Sequence, residues 1–271
     1  MTTHPLDALF DAATTGDRVE VPQGWGQGRA TFGGVVTGVL LARALGAFDL
    51  DPATLRAATT SFVAPVAPGP ARLEATLLRR GSSATQVEVH LVQPDEPSGA
   101  ETVRAVLLAA CGVERESAVE VTAPGPSRPA PDPHSLAPIP YVAGLAPEFF
   151  AHIDMRIATG GLPFSAAATG DLTGFMRFRE PPRTLSLPLF VALVDVWPPS
   201  AGQLLTRPAG LSSLTWTIEL LRPPDPDPGA LWRYDVTTDA AHNGYAHSHA
   251  GVYTAAGEPV AISRQTVSLF G

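Results

Sequence analysis

The chain has 271 residues, 45% of them apolar, a formal net charge of -8 and one cysteine, Cys111. That length holds one large domain or two of about 130 residues each. The acidic balance argues against non-specific nucleic-acid binding, and a lone cysteine excludes an internal disulfide, in keeping with a reducing cytoplasm.

Residues 1–32 read as a lead-in. Met1–Asp7 lacks the basic and apolar regions of a signal peptide. Arg18–Pro22 alternates like a short strand, and Gly24–Gly28 reads as a loop. Thr31-Phe32-Gly33-Gly34 then opens a mostly apolar helix through Leu45. Gly33, Gly34 and Gly38 allow a second backbone to pack close, and they leave the first amides of that helix uncovered at the positive end of its dipole. Four strand-like stretches follow: Leu55–Val66, Ala71–Arg79, Ala84–Val92 and Glu101–Cys111. In the third, Val87, Val89 and Leu91 share one face. Cys111 ends an apolar run with no basic neighbour and reads as a core thiol. A buried helix followed by antiparallel strands is an α+β unit.

Val121–Pro147 is rich in proline and reads as an extended linker and a domain boundary. Beyond it, Phe149–Ile157 and Thr173–Arg179 read as strands. Ser186–Trp197 reads as a second buried helix, with Ser186 as a possible cap, Pro188 in the first turn and Pro198-Pro199 as the stop. Asp195 is the only charge in that run, and a buried carboxylate is costly unless hydrogen-bonded. Leu211–Arg222, Leu231–Ala241, Tyr245–Thr254 and Glu258–Phe270 complete the set as strands. The order of helix then four strands therefore occurs twice, giving repeats over residues 1–120 and 148–271 with the linker at 121–147.

Four stretches resemble acyl-CoA thioesterase II-type proteins: Gly28–Gly38, Leu189–Asp195, Ser212–Pro223 and Val260–Gln265. The resemblance implies a double hotdog: α+β, two antiparallel sheets each wrapped round a long central helix and packed into one continuous sheet. It also implies hydrolysis of a fatty or related acyl-CoA to free acid and CoA, with no cofactor. An Asp–Thr–Gln set would orient the attacking water. By position these are Asp195, Ser213 in place of the threonine, and Gln265. Thr215, two residues on and so on the same face of a regular strand, is the alternative hydroxyl. Ser213 is preferred because the Arg222-Pro223 ending then aligns without a gap.

The chemistry asks for a positioned water, a proton acceptor and donors for an oxyanion. Asp195 can accept the proton, Ser213 can hold the water or the carboxylate, and Gln265 can both donate and accept. The amides of Gly33 and Gly34 are candidate oxyanion donors. The first helix has no acid matching Asp195, so one competent site is expected, in the second half. Arg79, Arg80 and Arg222 are weak candidates for CoA phosphates. The alternatives are a non-catalytic acyl-CoA or lipid binder, and a hotdog enzyme acting on carrier-bound acyl groups. His242, His247 and His249 lack further ligands and read as strand and turn residues rather than a metal site. No G-x-S-x-G, Walker or dinucleotide pattern occurs, and no run reaches the roughly 18 apolar residues that span a bilayer. Leu214, Trp216 and Ile218 would lie on the strand face opposite Ser213, an apolar patch needing cover, so a homo-oligomer (dimer or higher) is expected. The whole reads as a cytoplasmic enzyme whose partner is its acyl-CoA substrate.

Overall fold

The chain begins with a helix where a lead-in was expected: α1, Pro5–Thr15. Leu6, Leu9, Phe10 and Ala13 recur at the spacing of one helical face and are buried. The structure is a computed structural model and describes residues 4–95 and 98–270. Met1–Thr3, where the signal-peptide reading starts, and Gly271, the end of the second predicted repeat, lie outside the described residues.

The remaining elements of the first half are β1 (Arg18–Val21), β2 (Gly26–Gln27), β3 (Ala30–Thr31), α2 (Gly33–Ala47), β4 (Leu55–Phe62), β5 (Gly69–Arg80), β6 (Ala84–Pro94) and β7 (Glu101–Gly112). The expected Gly24–Gly28 loop holds one strand of the small β2–β3 hairpin. Along β6, Val87, Val89 and Leu91 are wholly buried, as their alternation requires. Cys111 is buried, and burial pushes its thiol pKa up.

The second half comprises β8 (Ile153–Thr159), β9 (Leu172–Phe178), α3 (Leu187–Val194), β10 (Leu211–Leu220), β11 (Trp232–His242), β12 (Tyr245–Thr254) and β13 (Pro259–Leu269). Two expectations shift here. Phe149 and Phe150 are not strand but part of a 3₁₀ turn, Glu148–His152, and Phe149 stacks on Phe32 at 4.0 Å. Side-chain burial under α2 has outweighed their strand propensity. The second helix stops at Val194 rather than Trp197, with Asp195 as its C-cap. Proline disfavours helical backbone in the residue before it, so the helix must end ahead of Trp197-Pro198. Ser186 occupies the N-cap position without a side-chain cap bond, while Pro188 removes one early amide. All eight residues of α3 are buried. A helix this short has little stability alone, so packing holds it.

Eleven strands form one antiparallel sheet in the order β1-β5-β6-β7-β4-β10-β13-β12-β11-β9-β8. The halves meet at β4–β10, where Thr215–Glu219 runs against Ala57–Ser61. There Thr59 and Thr217 share a hydrogen bond of 3.0 Å between their hydroxyls. The helix α2 packs on β4 to β7 and crosses α3, and α1 lies over both helices. The segment read as a linker is extended but tied down. Ile139 N–H donates to Met155 O at 2.7 Å, Arg128 donates to Val236 O at 2.9 Å, and Arg233 donates to Arg128 O.

Candidate active site

Asp195 is held where two helix ends meet. As the C-cap of α3 it stands next to the open N-terminus of α2. That approach needs glycine. A Cβ on Gly34 would lie 2.4 Å from the Ala192 carbonyl oxygen, and one on Gly33 would lie 2.8 Å from Asp195 Oδ2. With glycine at both, the Gly34 amide comes near enough to the Asp195 carboxylate to favour its charged form. Burial pushes the Asp195 pKa up to about 8, and the Gly34 amide only partly offsets this. Both Gly33 and Gly34 thus stand against Asp195 at the start of α2. Phe32, at the N-cap, offers no side-chain acceptor.

A bulge in β10 decides which hydroxyl faces Asp195. Ser213 pairs with Val267 and Thr215 pairs with Thr266, so Leu214 is the extra residue. A bulge of one residue reverses the alternation beyond it. Ser213 faces the helix side, while Thr215 turns to the other face and is exposed. The expectation that Thr215 shares a face with Ser213 is thus corrected. The same bulge overturns the reasoning for a subunit interface. Trp216 and Ile218 are 2% and 0% exposed, in the core, with Trp216 Nε1–H donating to Ser263 Oγ at 2.8 Å. Of the three residues expected to need cover, only Leu214 is exposed.

Asp195, Ser213 and Gly33 line one cavity of about 260 Å³. Its other walls are largely apolar, including Val36, Phe62, Val66, Pro199 and Leu211. Gln265 stands behind it and donates from Nε2 to Ser213 Oγ at 2.9 Å. Because Ser213 accepts that bond, its own proton is free for the cavity. Asp195 borders the cavity and is half-buried.

Several neighbours escaped the sequence reading. Thr31 and Phe62 line the cavity. Tyr234 is buried, and its pKa is raised first by burial and further by the charge of Asp195, with Ser263 acting in the opposite sense. Its signal was present, since Trp232, Tyr234 and Val236 alternate inward along β11. None of the suggested phosphate arginines, Arg79, Arg80 and Arg222, lines that cavity; Arg222 pairs with Glu258 at 2.7 Å and Arg80 donates to Phe48 O at 2.6 Å. His249 pairs with Asp239 at 2.7 Å on the exposed surface. Among the described residues no helix is long and apolar enough to cross a membrane.

The family model described as acyl-CoA thioesterase N-terminal domain matches residues 21–110, and that described as acyl-CoA thioesterase C-terminal domain matches residues 124–269. No curated protein matches the chain. Among solved structures, a conserved protein of unknown function with a hot dog fold from Alicyclobacillus acidocaldarius has a TM-score of 0.82 at 23% identity, over 100% of this chain and 99% of that one. A putative thioesterase II from Thermobifida fusca YX gives 0.77 at 22% identity, over 97% of each chain. An acyl-CoA thioesterase II, TesB2, from Mycobacterium marinum gives 0.69 at 22% identity, over 94% of this chain and 93% of that one. At such identities the likeness is one of fold, the hot dog.

Proposed function

The chain belongs to the acyl-CoA thioesterase family, and from that premise we propose that it hydrolyses a fatty or related acyl-CoA to the free acid and CoA, using a water oriented by Asp195, Ser213 and Gln265. The observation that carries this is the meeting of Asp195, Ser213 and Gly33 round one apolar-walled cavity, with Gln265 bonded to Ser213. Ionised Asp195 takes a proton from the water, which attacks the thioester carbon. Ser213 fixes the water, and Gln265 fixes Ser213. The oxyanion finds the Gly33 amide at the positive end of α2. Two hot dog repeats over residues 1–120 and 148–271, joined by 121–147, fit the twice-repeated order of one helix and four strands: α2 with β4 to β7, then α3 with β10 to β13. Only the second repeat supplies an acid, so the first supplies walls and the α2 N-terminus.

A thiol-release assay across acyl-CoA chain lengths tests hydrolysis directly. Binding without release would make the protein a carrier or sensor. With hydrolysis established, kcat/KM should rise with pH along a one-proton curve and level off above about pH 8, because the base must be ionised. A profile flat between about pH 6 and 9 would remove a carboxylate with raised pKa from the rate.

Ser213→Ala and Gln265→Leu should each lower kcat roughly 10-fold, the equivalent of about 1.4 kcal/mol. Since Gln265 acts through Ser213, the double variant should lose little more than either single one. Additive losses would mean that Gln265 acts independently of Ser213.

A further inference from the structure

The cavity at Asp195 has a neighbour. Pro199 lines it from one side and, from the other, a second and largely apolar pocket pinched to about 10 Å³. Ile139, Met155, Leu162, Leu172 and Trp197 are among the walls of that second pocket. Pro199 is buried, and its carbonyl accepts from the Gly202 N–H at 2.8 Å, which holds it between the two spaces. The walls of the first cavity differ from one another. Gln27 and Ser212 are exposed and Val63 is 60% exposed, so they form its mouth. Val36, Val66 and Pro199 are buried and form its floor. A charged CoA moiety keeps to the water at the mouth, and an acyl chain gains by leaving water for the floor. Among the described residues lining the cavity, Asp195 is the only one that carries a charge. A carboxylate on the acyl group would be buried there without a partner and repelled by Asp195. Volume sets a second limit. An apolar cavity of about 150 Å³ takes one benzene ring, so about 260 Å³ takes roughly ten heavy atoms. The attacking water and the carbon, oxygen and sulfur of the thioester use part of that, which leaves room for about six carbons.

We infer that the cavity takes an uncharged acyl chain of no more than about six carbons beyond the carbonyl, and that the Pro199 ring is the stop that sets this length. The inference rests on the acyl-CoA reading proposed above and narrows it to short chains. A longer chain has two choices. It leaves its end in water at the mouth, or it pushes past Pro199 towards Leu162 and Trp197, where the second pocket is too small to receive it. Each methylene that the cavity accepts should raise kcat/KM about fourfold, and each one beyond the stop should raise it no further.

Thiol release is measured with straight-chain acyl-CoAs from acetyl to palmitoyl, and with one acyl-CoA whose chain ends in a carboxylate. For the wild type, kcat/KM should climb with length to about six carbons beyond the carbonyl and then fall. The carboxylate-ended substrate should be turned over roughly 10- to 100-fold less efficiently than its methyl-ended counterpart of equal length. Pro199→Ala shortens the stop, and should raise the ratio of kcat/KM for decanoyl-CoA over butanoyl-CoA roughly 10-fold. Leu162 lines the second pocket and is 44% exposed, so its side chain can be enlarged without disturbing the core. Adding Leu162→Trp to Pro199→Ala refills the opened space and should take back most of that rise. A wild-type profile that is flat from butanoyl to palmitoyl would overturn the inference. So would a Pro199→Ala protein in which every chain length changes by the same factor, or a double variant as permissive as the single one. A second readout needs neither turnover nor a variant: the affinity of the wild type for S-alkyl-CoA thioethers of increasing length, which have no carbonyl to attack. Affinity that climbs to the same length and stops there, in a protein releasing no thiol, would sink hydrolysis and keep the acyl site. Thiol release with no such limit of length would sink the acyl site alone.

Discussion

Asp195→Asn is expected to lower kcat for acyl-CoA hydrolysis by roughly 10²- to 10⁴-fold and, in the same protein, to raise the melting temperature. The loss follows because asparagine cannot take the proton of the attacking water. The gain follows from what the carboxyl endures in place. Burial lifts its pKa from the ordinary 3.8 to about 8 in the folded protein. A group whose folded pKa is raised lends its full stability below its unfolded pKa and withdraws it as pH climbs through the folded value. The wild type should therefore lose stability progressively from about pH 4 to about pH 8, while the asparagine variant should not. The amide oxygen of the substituted side chain can still accept the Gly34 N–H, so the helix junction is kept. Because Asp195 also borders the cavity, the gain at high pH should be about 1–2 kcal/mol, a rise of roughly 2–8 °C in Tm for a chain of this size. Calorimetry at about pH 5 and pH 9, beside thiol release, checks both halves, with the gap between variant and wild type wider at the higher pH. Normal turnover would exclude Asp195 from the mechanism, and a gap that is the same at both pH values would mean that its carboxyl is not held neutral.

Gly34→Ala should be strongly destabilising, costing about 3 kcal/mol and lowering Tm by roughly 6–12 °C. The added Cβ would lie 2.4 Å from the Ala192 carbonyl oxygen and 2.5 Å from the Phe32 ring. Neither can step aside. Ala192 is backbone inside α3, and Phe32 is stacked on Phe149. The two helices must part, and the Gly34 amide leaves Asp195. Gly33→Ala is the control. Its Cβ would first meet the carboxylate of Asp195 and the ring of Phe62, both ends of side chains that can rotate. It should lose activity while Tm falls by less than half as much as with Gly34→Ala. Equal Tm losses in the two would mean that the helix crossing does not depend on the close approach at Gly34.

Much of this arrangement was legible before any coordinates. An apolar run as long as that of α2 has no place but the interior, and strict alternation in β6 fixes both its state and its face. Asp195 announced itself as the only charge in a buried stretch. What escaped was set by effects that a linear pattern does not carry. The Leu214 bulge moves Thr215 out of the site and Trp216 into the core by inserting one residue against β13, and nothing in Leu-Ser-Ser-Leu-Thr-Trp marks where the alternation breaks. Phe149 left the strand to stack on Phe32, and Phe150 packs edge-on against Phe149. The helix α1 is a different case: its face at Leu6, Leu9, Phe10 and Ala13 was readable, but it is short and stands ahead of the first strand.

The seam between β4 and β10 has a consequence for how the protein is made. Its strands lie far apart in the chain, with Thr59 and Thr217 separated by 158 residues. During synthesis from the N-terminus, β4 is finished on its β7 side long before β10 leaves the ribosome. Through that interval its other edge stands open, a row of backbone donors and acceptors with short threonine and serine side chains and no inward charge to blunt it. An edge of that kind pairs with whatever extended strand is nearest, including the β4 of a neighbouring nascent copy. The same bonds that join the two halves in the finished protein thus make its half-made form adhesive.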